Sequence, residues 1–76
     1  MKQFLETIVS ALVDHPEQVD IKEIEASRTT VYELRVGEGD LGKVIGKGGQ
    51  AVKAIRTLLA AAAARKGKRA VLEILE

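Results

Sequence analysis

The chain has 76 residues, 46% hydrophobic and 30% charged, which suits one small globular domain and is too short for a large enzyme fold. It contains no cysteine and one histidine, which excludes disulfides, thiolate catalysis, cysteine zinc sites and histidine-rich metal sites. No apolar run reaches the roughly 18 residues of a membrane span, and the N-terminus lacks a secretion signal. We therefore expect a cytoplasmic protein with no cofactor, membrane contact or small-molecule substrate.

Charge is unevenly distributed along the chain, although the net charge is only +1. Residues 43–69 contain eight basic residues and no acidic one, whereas the rest of the chain contains four basic and eleven acidic residues. A basic face attracts polyanions such as nucleic acids. A solvated helix face followed by a basic turn explains the pattern equally well, so charge alone leaves both interpretations open.

Residues 1–14 predict an amphipathic helix. Its apolar residues recur at three- and four-residue spacing and form one stripe: Phe4, Leu5, Ile8, Val9, Leu12 and Val13. His15-Pro16 ends the helix, because proline disfavours helical geometry in the residue before it. This stripe places Phe4 in the core.

Two strands are expected next. The segment 17–27 predicts a strand. Its apolar side chains lie on one face only if the alternation of inward and outward positions shifts by one residue near Glu23. Residues 30–36 alternate without interruption, which directs Tyr32 towards the core. Since this strand and the first helix bury the chain's two aromatic residues, recognition of bases by aromatic stacking on the sheet is not expected.

The second half predicts two helices around a glycine-rich loop, and a last strand. Asp40 can cap a short helix at residues 41–45 by accepting from its free N–H groups. Residues 46–49 form the loop, residues 50–65 a long helix, and residues 69–75 a strand. The order α-β-β-α-α-β predicts an α+β fold whose three-stranded sheet is covered on one face by three helices.

Two nucleotide-binding motifs fit the glycine-rich middle of the chain poorly. A literal match to the dinucleotide fingerprint begins at Gly37, but Glu38 and Asp40 would then face the pyrophosphate. In the triphosphate P-loop, the lysine is followed by serine or threonine, whereas Lys47 is followed by Gly48. Neither motif is therefore assigned.

A tight loop between two helices, at residues 46–49, fits the glycines better. Glycine lets a sugar-phosphate chain approach the protein backbone, and the next helix points free N–H groups at it. Lys47 adds a mobile cation at the tip, and Gly49 leaves no bulky side chain before the helix. The loop therefore suits the backbone of a polynucleotide.

The residues around this loop resemble the signature of the KH domain, an aliphatic pair, Gly-x-x-Gly, and an aliphatic residue three positions on. The matching residues are Val44-Ile45, Gly46-Lys47-Gly48-Gly49 and Val52. Gly-x-x-Gly alone has little specificity, but the extended motif between helices, with strands on both sides, is specific.

The whole chain is most similar to the small bacterial single-KH RNA-binding proteins of the KhpA family. The most similar stretches are residues 40–46, Asp-Leu-Gly-Lys-Val-Ile-Gly, and residues 54–57, Ala-Ile-Arg-Thr. The resemblance implies one type II KH domain over residues 1–76. Residues 1–27 would be its N-terminal helix-strand extension and residues 30–75 its minimal motif.

The resemblance implies that the loop clamps about four nucleotides of single-stranded RNA. Contacts with the sugar-phosphate backbone are then expected at Gly46, Lys47, Gly48 and Gly49. Ile45 and Ala54 are assigned to the apolar groove floor, although the choice between Val44 and Ile45 stays open. Lys43 and Lys53 are assigned to neighbouring phosphates, with solvated lysines as the alternative. The basic residues after the long helix have a simpler explanation, because they complement its dipole: Arg65, Lys66, Lys68 and Arg69.

The long helix carries a second apolar stripe beside its core stripe: Ala51, Ala54, Leu58 and Ala61. We expect a protein contact there, centred on Leu58, with helix propensity as the alternative reason for the alanines. The resemblance implies a homodimer, or pairing with a larger RNA-binding protein that carries its own KH domain. Contact and RNA binding would compete if they overlap.

Catalysis is not expected, because His15 lies at a helix end and no triad, carboxylate pair or metal-ligand spacing emerges. The resemblance implies a chaperone-like role in RNA regulation, with effects on cell shape in some members. The remaining alternative is a protein-interaction module that kept the KH fold and binds little RNA. The intact loop with Lys47 argues against that alternative.

Overall fold

The computed structural model describes residues 1–75 and shows an α+β fold. Helices and strands follow one another in the order α-β-β-α-α-β, which confirms the expected fold class. Their bounds are α1 Lys2–Leu12, β1 Asp20–Glu25, β2 Thr29–Arg35, α2 Leu41–Ile45, α3 Gln50–Ala64 and β3 Arg69–Ile74. Short 3-10 turns lie before β1 and before α3, at Pro16–Gln18 and Lys47–Gly49.

The strands of residues 1–75 form one sheet in the order β1-β2-β3. β1 and β2 pair antiparallel as a hairpin, whereas β2 and β3 pair parallel. A parallel pair needs a crossover connection, and α2 and α3 provide it. One face of the sheet is therefore covered by helices, and Ile21, Tyr32 and Leu72 are buried there.

α1 buries a narrower stripe than its sequence indicates. Leu5 and Val9, one turn apart, are fully buried, but Phe4 is 41% exposed. The placement of Phe4 in the core is therefore wrong. Adjacent helix positions are about 100° apart, and a short helix on a small sheet buries only the side facing Leu5 and Val9.

β1 is regular, so the phase slip expected near Glu23 does not occur. Its register with β2 runs without a break from Asp20 opposite Arg35 to Glu25 opposite Thr30. Ile24 consequently points to the opposite face from Ile21 and is 42% exposed. The expectation was wrong because it placed every apolar residue of the strand in the core, and this sheet leaves apolar residues on its open face.

α3 packs its apolar stripe on the sheet as the periodicity indicated, through Val52, Ile55, Leu59 and Ala63. Val44 of α2 is also fully buried in the same cluster. α3 ends in a basic turn in which Gly67 has φ +68°. This packing holds both ends of the glycine loop against the core.

Asp40 is 1% exposed, and its carboxylate does not cap α2 in residues 1–75 as the sequence had indicated. Its Oδ1 accepts the N–H of Asp14 at 3.1 Å and its Oδ2 accepts the N–H of His15 at 2.9 Å. Burial acts to raise the pKa of Asp40, but these two hydrogen bonds and the charges of His15 and Lys43 outweigh it, and the pKa is lowered. Asp40 thus fastens the segment after α1 to the start of α2.

Candidate nucleic-acid interface

The glycine loop, residues 46–49, joins α2 to α3 through left-handed backbone. Gly46, Gly48 and Gly49 have φ angles of +78°, +63° and +77°. Side chains with a Cβ rarely adopt such angles, so the sequence pattern and the backbone agree. The loop reverses the chain in four residues and leaves α3 starting at the surface.

Gly46 is required by packing as well as by its backbone angle. A Cβ placed on Gly46 would lie 2.6 Å from the Ala51 Cβ and 2.8 Å from the Ala51 N. The Gly46 N–H also donates to the Gly42 carbonyl at 2.8 Å, which closes α2. Ala51, expected in a protein contact, therefore also fixes the shape of the loop.

Gly48 and Gly49 form the open side of the loop. A Cβ on either glycine would meet no atom within 4 Å in the part of the chain that the structure describes. Lys47 and Gly48 are exposed. A chain as bulky as a sugar-phosphate backbone therefore has unobstructed access to the loop.

The loop's N–H groups are only partly used within the protein. Gly49 donates to the Gly46 carbonyl at 3.1 Å, and Gln50 donates to the Lys47 carbonyl. Within residues 1–75, the N–H groups of Lys47 and Gly48 have no hydrogen-bond acceptor. Two donors at the exposed tip are thus available to a ligand such as a phosphate.

The three lysines near the loop differ in their surroundings. Lys43 Nζ lies 3.2 Å from Asp14 Oδ2, so this carboxylate already offsets its charge. Lys47 and Lys53 are exposed and make no ion pair with the rest of residues 1–75. The local positive charge is therefore concentrated on Lys47 and Lys53.

The structure distinguishes Val44 from Ile45. Val44 is fully buried, whereas Ile45 is half-buried at the edge of the core, directly before the loop. Ile45 is thus the member of the pair that a ligand can reach. Ala54, the other residue assigned to the groove floor, is exposed one turn into α3.

A shallow depression lies on the outer face of α3. It is lined by Gln50, Lys53, Ala54, Thr57 and Leu58. Leu58 is 51% exposed, an unusual fraction for a large apolar side chain in the middle of a helix. The structure thus places residues assigned to RNA and the residue assigned to a protein contact on one surface.

A larger groove of about 500 Å³ separates α3 from β3, and sequence reasoning missed it. Its walls are small or apolar, including Ala60, Ala64 and Leu72, and its charged groups include Arg56 and Arg69. Periodicity along α3 could have identified Arg56 and Ala60 as a third face. It could not show that β3 forms the opposite wall.

Arg56 links the two walls of this groove. Its Nη2 donates to the Leu72 carbonyl at 3.2 Å. This contact satisfies one carbonyl of the edge strand and holds the guanidinium over the groove. Nothing in the local sequence indicates this contact, because the two residues belong to different elements.

Basic residues gather at the end of α3 away from the loop. The N–H of Arg69 donates to the Arg28 carbonyl at 2.8 Å, so the β1–β2 hairpin lies beside the start of β3. Lys68 pairs with Glu25 at 3.1 Å, which offsets one of these charges. The backbone of Arg28, outside the basic segment of the sequence, thus lies beside the basic residues that follow α3.

Other kinds of site receive no support from the described residues. Among residues 1–75, no three His, Cys, Asp or Glu side chains gather closely enough to hold a metal ion. Likewise, none of the helices in that range is long and apolar enough to span a bilayer.

Comparison with known proteins gives full-length matches. The chain matches the family described as "KhpA/KhpB, KH domain" over residues 2–74. The RNA-binding protein KhpA of Chlamydia muridarum is 53% identical over 76 residues, which is 100% of this chain and 97% of the relative. That of Clostridium acetobutylicum is 49% identical over 75 residues, with 99% and 100% coverage. That of Aquifex aeolicus is 49% identical over 76 residues, with 100% and 96% coverage.

No solved structure gave a significant match. The relatives are named for RNA binding, which is not an enzyme class. Family match and relatives both extend over nearly the whole chain and confirm the resemblance found in its residues. The chain belongs to the KhpA/KhpB family of KH-domain proteins.

Proposed function

We propose that this protein binds single-stranded RNA and that residues 46–49 clamp its sugar-phosphate backbone. The observation that carries the proposal is the open side of the loop, where Gly48 and Gly49 leave unobstructed space beside the exposed Lys47. The free N–H groups of Lys47 and Gly48 suit phosphate oxygens. The names of the relatives support RNA as the polymer.

In this proposal, the groove between α3 and β3 sets the path that the RNA strand follows from the loop. α3 has 15 residues, so it is about 22 Å long at a rise of 1.5 Å per residue. RNA held at the loop would follow α3 past Arg56 towards Arg28 and Arg69. Bases would lie on the apolar side chains of the groove, while phosphates would meet the basic ones.

Binding is expected to be weak and tolerant of sequence. Tyr32 is buried, and Phe4 lies on α1, outside the elements that form the loop and the groove. Stacking on aromatic rings adds about 1–3 kcal/mol per base in proteins that use it, and this surface lacks it. Such binding suits an RNA chaperone that contacts many transcripts, which is the regulatory role we propose.

A protein contact through α3 belongs to the same proposal. Leu58 is half-exposed with Ala54 and Ala61 beside it, and small residues let another helix approach closely. A second copy, or a larger RNA-binding protein with its own KH domain, would fit this face. Joined modules gain affinity because a second site binds at high effective concentration.

The experiment changes the charge of the loop while keeping its left-handed backbone. Lys47→Asp combined with Gly48→Asp puts two carboxylates where the phosphate would lie. Aspartate tolerates the left-handed angle at position 48, and no described atom is close enough to clash. Fluorescence anisotropy with a labelled, mixed-sequence 12-nucleotide RNA should show at least a tenfold loss of affinity.

A matched control separates the loop from net charge. Lys2→Asp with Gly39→Asp makes the same charge change, and Gly39 also has a positive φ of +87° and open space around it. The control should keep affinity within about threefold, because neither residue belongs to the loop or lines the groove between α3 and β3. Equal affinities of the two folded double variants would show that the loop is not the RNA site.

The exposed Leu58 also supports a second candidate function, a protein-interaction module with little RNA binding of its own. The same anisotropy measurement distinguishes the two. If the wild-type chain shows no salt-sensitive binding of the 12-nucleotide RNA while Leu58→Lys abolishes capture of a protein partner from cells, the second function is correct.

A further inference from the structure

The peptide group of Leu72 faces the groove between α3 and β3. At the two ends of β3, the N–H groups of Arg69 and Leu75 donate to carbonyls in residues 28–34, at 2.8 Å each. Because successive residues of a strand turn their peptide groups to opposite sides, the odd-numbered residues of β3 face β2. Leu72 therefore faces the free edge of the sheet, which borders the groove.

Arg56 lies at this edge and keeps most of its hydrogen-bond donors free. Its Nη2 donates to the Leu72 carbonyl at 3.2 Å, and the side chain has no other partner in residues 1–75. A guanidinium carries five N–H groups in a flat fork. One Nη2 hydrogen lies beside the Nε–H and the other beside an Nη1–H. Whichever of them Leu72 accepts, one edge of the fork keeps two N–H groups.

The groove leaves these N–H groups available to a ligand. Among the described residues, its lining includes three basic side chains and no acidic one. The Leu72 carbonyl accepts one hydrogen bond and has a second lone pair. The groove thus presents one acceptor and two donors side by side, which are the Leu72 oxygen and one edge of Arg56.

We propose that these groups recognise cytosine and that Arg56 is a specificity-determining residue for RNA. The inference rests on the proposed function, which brings bases into this groove. Acceptor, donor, donor is also the order of groups on the pairing edge of guanine. Cytosine presents the complementary order, because its N4 amino group donates and its N3 and O2 accept. Proteins that bind single-stranded RNA commonly read this edge of a base.

Other parts of an RNA fit these groups less well. Phosphate oxygens only accept, so a phosphate beside Arg56 would also face the lone pairs of the Leu72 carbonyl. Uracil turns an acceptor, O4, towards that carbonyl and a donor, N3–H, towards Arg56. The pairing edge of guanine repeats the order of the protein groups, and that of adenine offers one acceptor instead of two. The pattern therefore selects cytosine.

The groove has room for a base beside Arg56. Its volume is about 500 Å³, and the residues one and two turns beyond Arg56 on the same side of α3 are Ala60 and Ala64. Arg56 lies six residues after the start of α3, about 9 Å along the helix axis. A strand held at the loop therefore passes it. The preference concerns one nucleotide, so binding elsewhere along the strand stays tolerant of sequence.

The test compares RNAs that differ only in the base. Fluorescence anisotropy at pH 7.5 and one salt concentration, with labelled 12-nucleotide oligocytidylate and oligouridylate, should show about tenfold tighter binding of oligocytidylate. This is near the lower end of what a two-bond base contact contributes, because Arg56 is exposed. A 12-nucleotide oligomer of 2-pyrimidinone, which keeps N3 and O2 but lacks the amino group, should bind with intermediate affinity.

Arg56→Lys separates base recognition from charge. Lysine keeps the positive charge but lacks the flat fork. The preference for oligocytidylate should therefore fall below threefold, while the affinity for oligouridylate stays within about twofold of wild type. Arg65→Lys is the matched control, because it makes the same exchange directly after α3 and outside the groove. It should keep the tenfold preference.

The possible outcomes distinguish this inference from the proposed function. Equal binding of the two RNAs by the wild-type chain, or an unchanged preference in Arg56→Lys, would overturn cytosine recognition. Arg56→Ala with equal losses for both RNAs would show that Arg56 binds phosphate instead. In each case, weaker binding by Lys47→Asp with Gly48→Asp would still support the loop as the RNA site. If neither RNA bound in a salt-sensitive way, both proposals would be wrong.

Discussion

The methyl group of Ala51 occupies the space that a side chain on Gly46 would need. The two residues lie on either side of the loop, and the shortest approach to a Cβ on Gly46 would be 2.6 Å. Gly46 also has φ +78° and ψ 171°, a combination that only glycine adopts readily. The start of the loop is thus fixed by its neighbour, whereas its tip is open.

Gly46→Ala should therefore destabilise the protein by about 2–4 kcal/mol, from backbone strain and overpacking together. Gly48→Ala is the matched control, because it has a positive φ but no described neighbour within 4 Å. It should cost only about 1 kcal/mol. Urea unfolding followed by far-ultraviolet circular dichroism measures both, and equal losses would contradict the packing role of Ala51.

Asp40 makes the stability of the fold depend on pH. Its pKa is lowered in the folded chain, so its contribution to stability is present above its unfolded pKa of about 4 and is lost as the pH falls through the folded pKa. Asp40→Asn, which keeps the shape but removes the charge, should lower the urea midpoint at pH 7. The difference from wild type should shrink at pH 3. A constant difference from pH 7 to pH 3 would exclude a role for the Asp40 charge.

Much of this fold follows from the sequence, because buried positions repeat with the period of the local structure. The α3 stripe and the alternation around Tyr32 both carry that signal, and the glycines mark the loop directly. The errors arose where a residue's surroundings come from distant elements. Phe4 and Ile24 have ordinary core chemistry, yet each faces away from the core in the assembled fold.

In the candidate site, too, features with a local sequence pattern were predicted and those that depend on distant elements were not. The loop and Lys47 were predicted from the glycine pattern, and Lys43 and Lys53 were assigned through the resemblance to the KH domain. Asp40 resembled a helix cap locally, but its hydrogen bonds go to Asp14 and His15, more than 20 residues earlier. The groove between α3 and β3 exists only once the parallel strand is in place, so Arg56 and Leu72 carried no common sequence signal.

Tyr32 provides a spectroscopic measure of core integrity. Burial raises its pKa to about 12, assisted by the hydrogen bond from its hydroxyl to Glu23 at 2.9 Å and by the charges of Glu23 and Glu25. The folded state thus loses stability as the pH rises from about 10 to about 12, because the unfolded phenol ionises first.

Since Tyr32 is the one tyrosine of the chain, absorbance at 295 nm reports it alone. The native titration should have its midpoint near 12, and urea should move it to about 10. Glu23→Gln should lower the native midpoint while leaving the protein folded. A native midpoint near 10 would contradict the buried, hydrogen-bonded phenol.

Salt dependence tests the electrostatic part of RNA binding. Each phosphate that a lysine neutralises contributes a slope of about −0.7 to log K against log salt for a single strand. Lys47→Ala should make the slope less negative by about 0.7 and reduce affinity. Lys22→Ala, on the open face of the sheet, is the control and should leave the slope unchanged. Affinity that does not vary with salt would contradict phosphate binding altogether.

Asp14 restrains the positive charge beside the loop. Its carboxylate lies 3.2 Å from Lys43 Nζ, although its N–H is bound by Asp40. Asp14→Asn should leave that N–H bond intact and free Lys43, since surface ion pairs contribute only about 0.2–1 kcal/mol. RNA affinity should rise about two- to fivefold at low salt. The Asp14 carboxylate would no longer repel the RNA phosphates, and Lys43 would be released to bind them. Adding Lys43→Ala should abolish the part of the gain due to Lys43. An unchanged or weaker affinity in the folded Asp14→Asn variant would show that Lys43 does not reach the RNA.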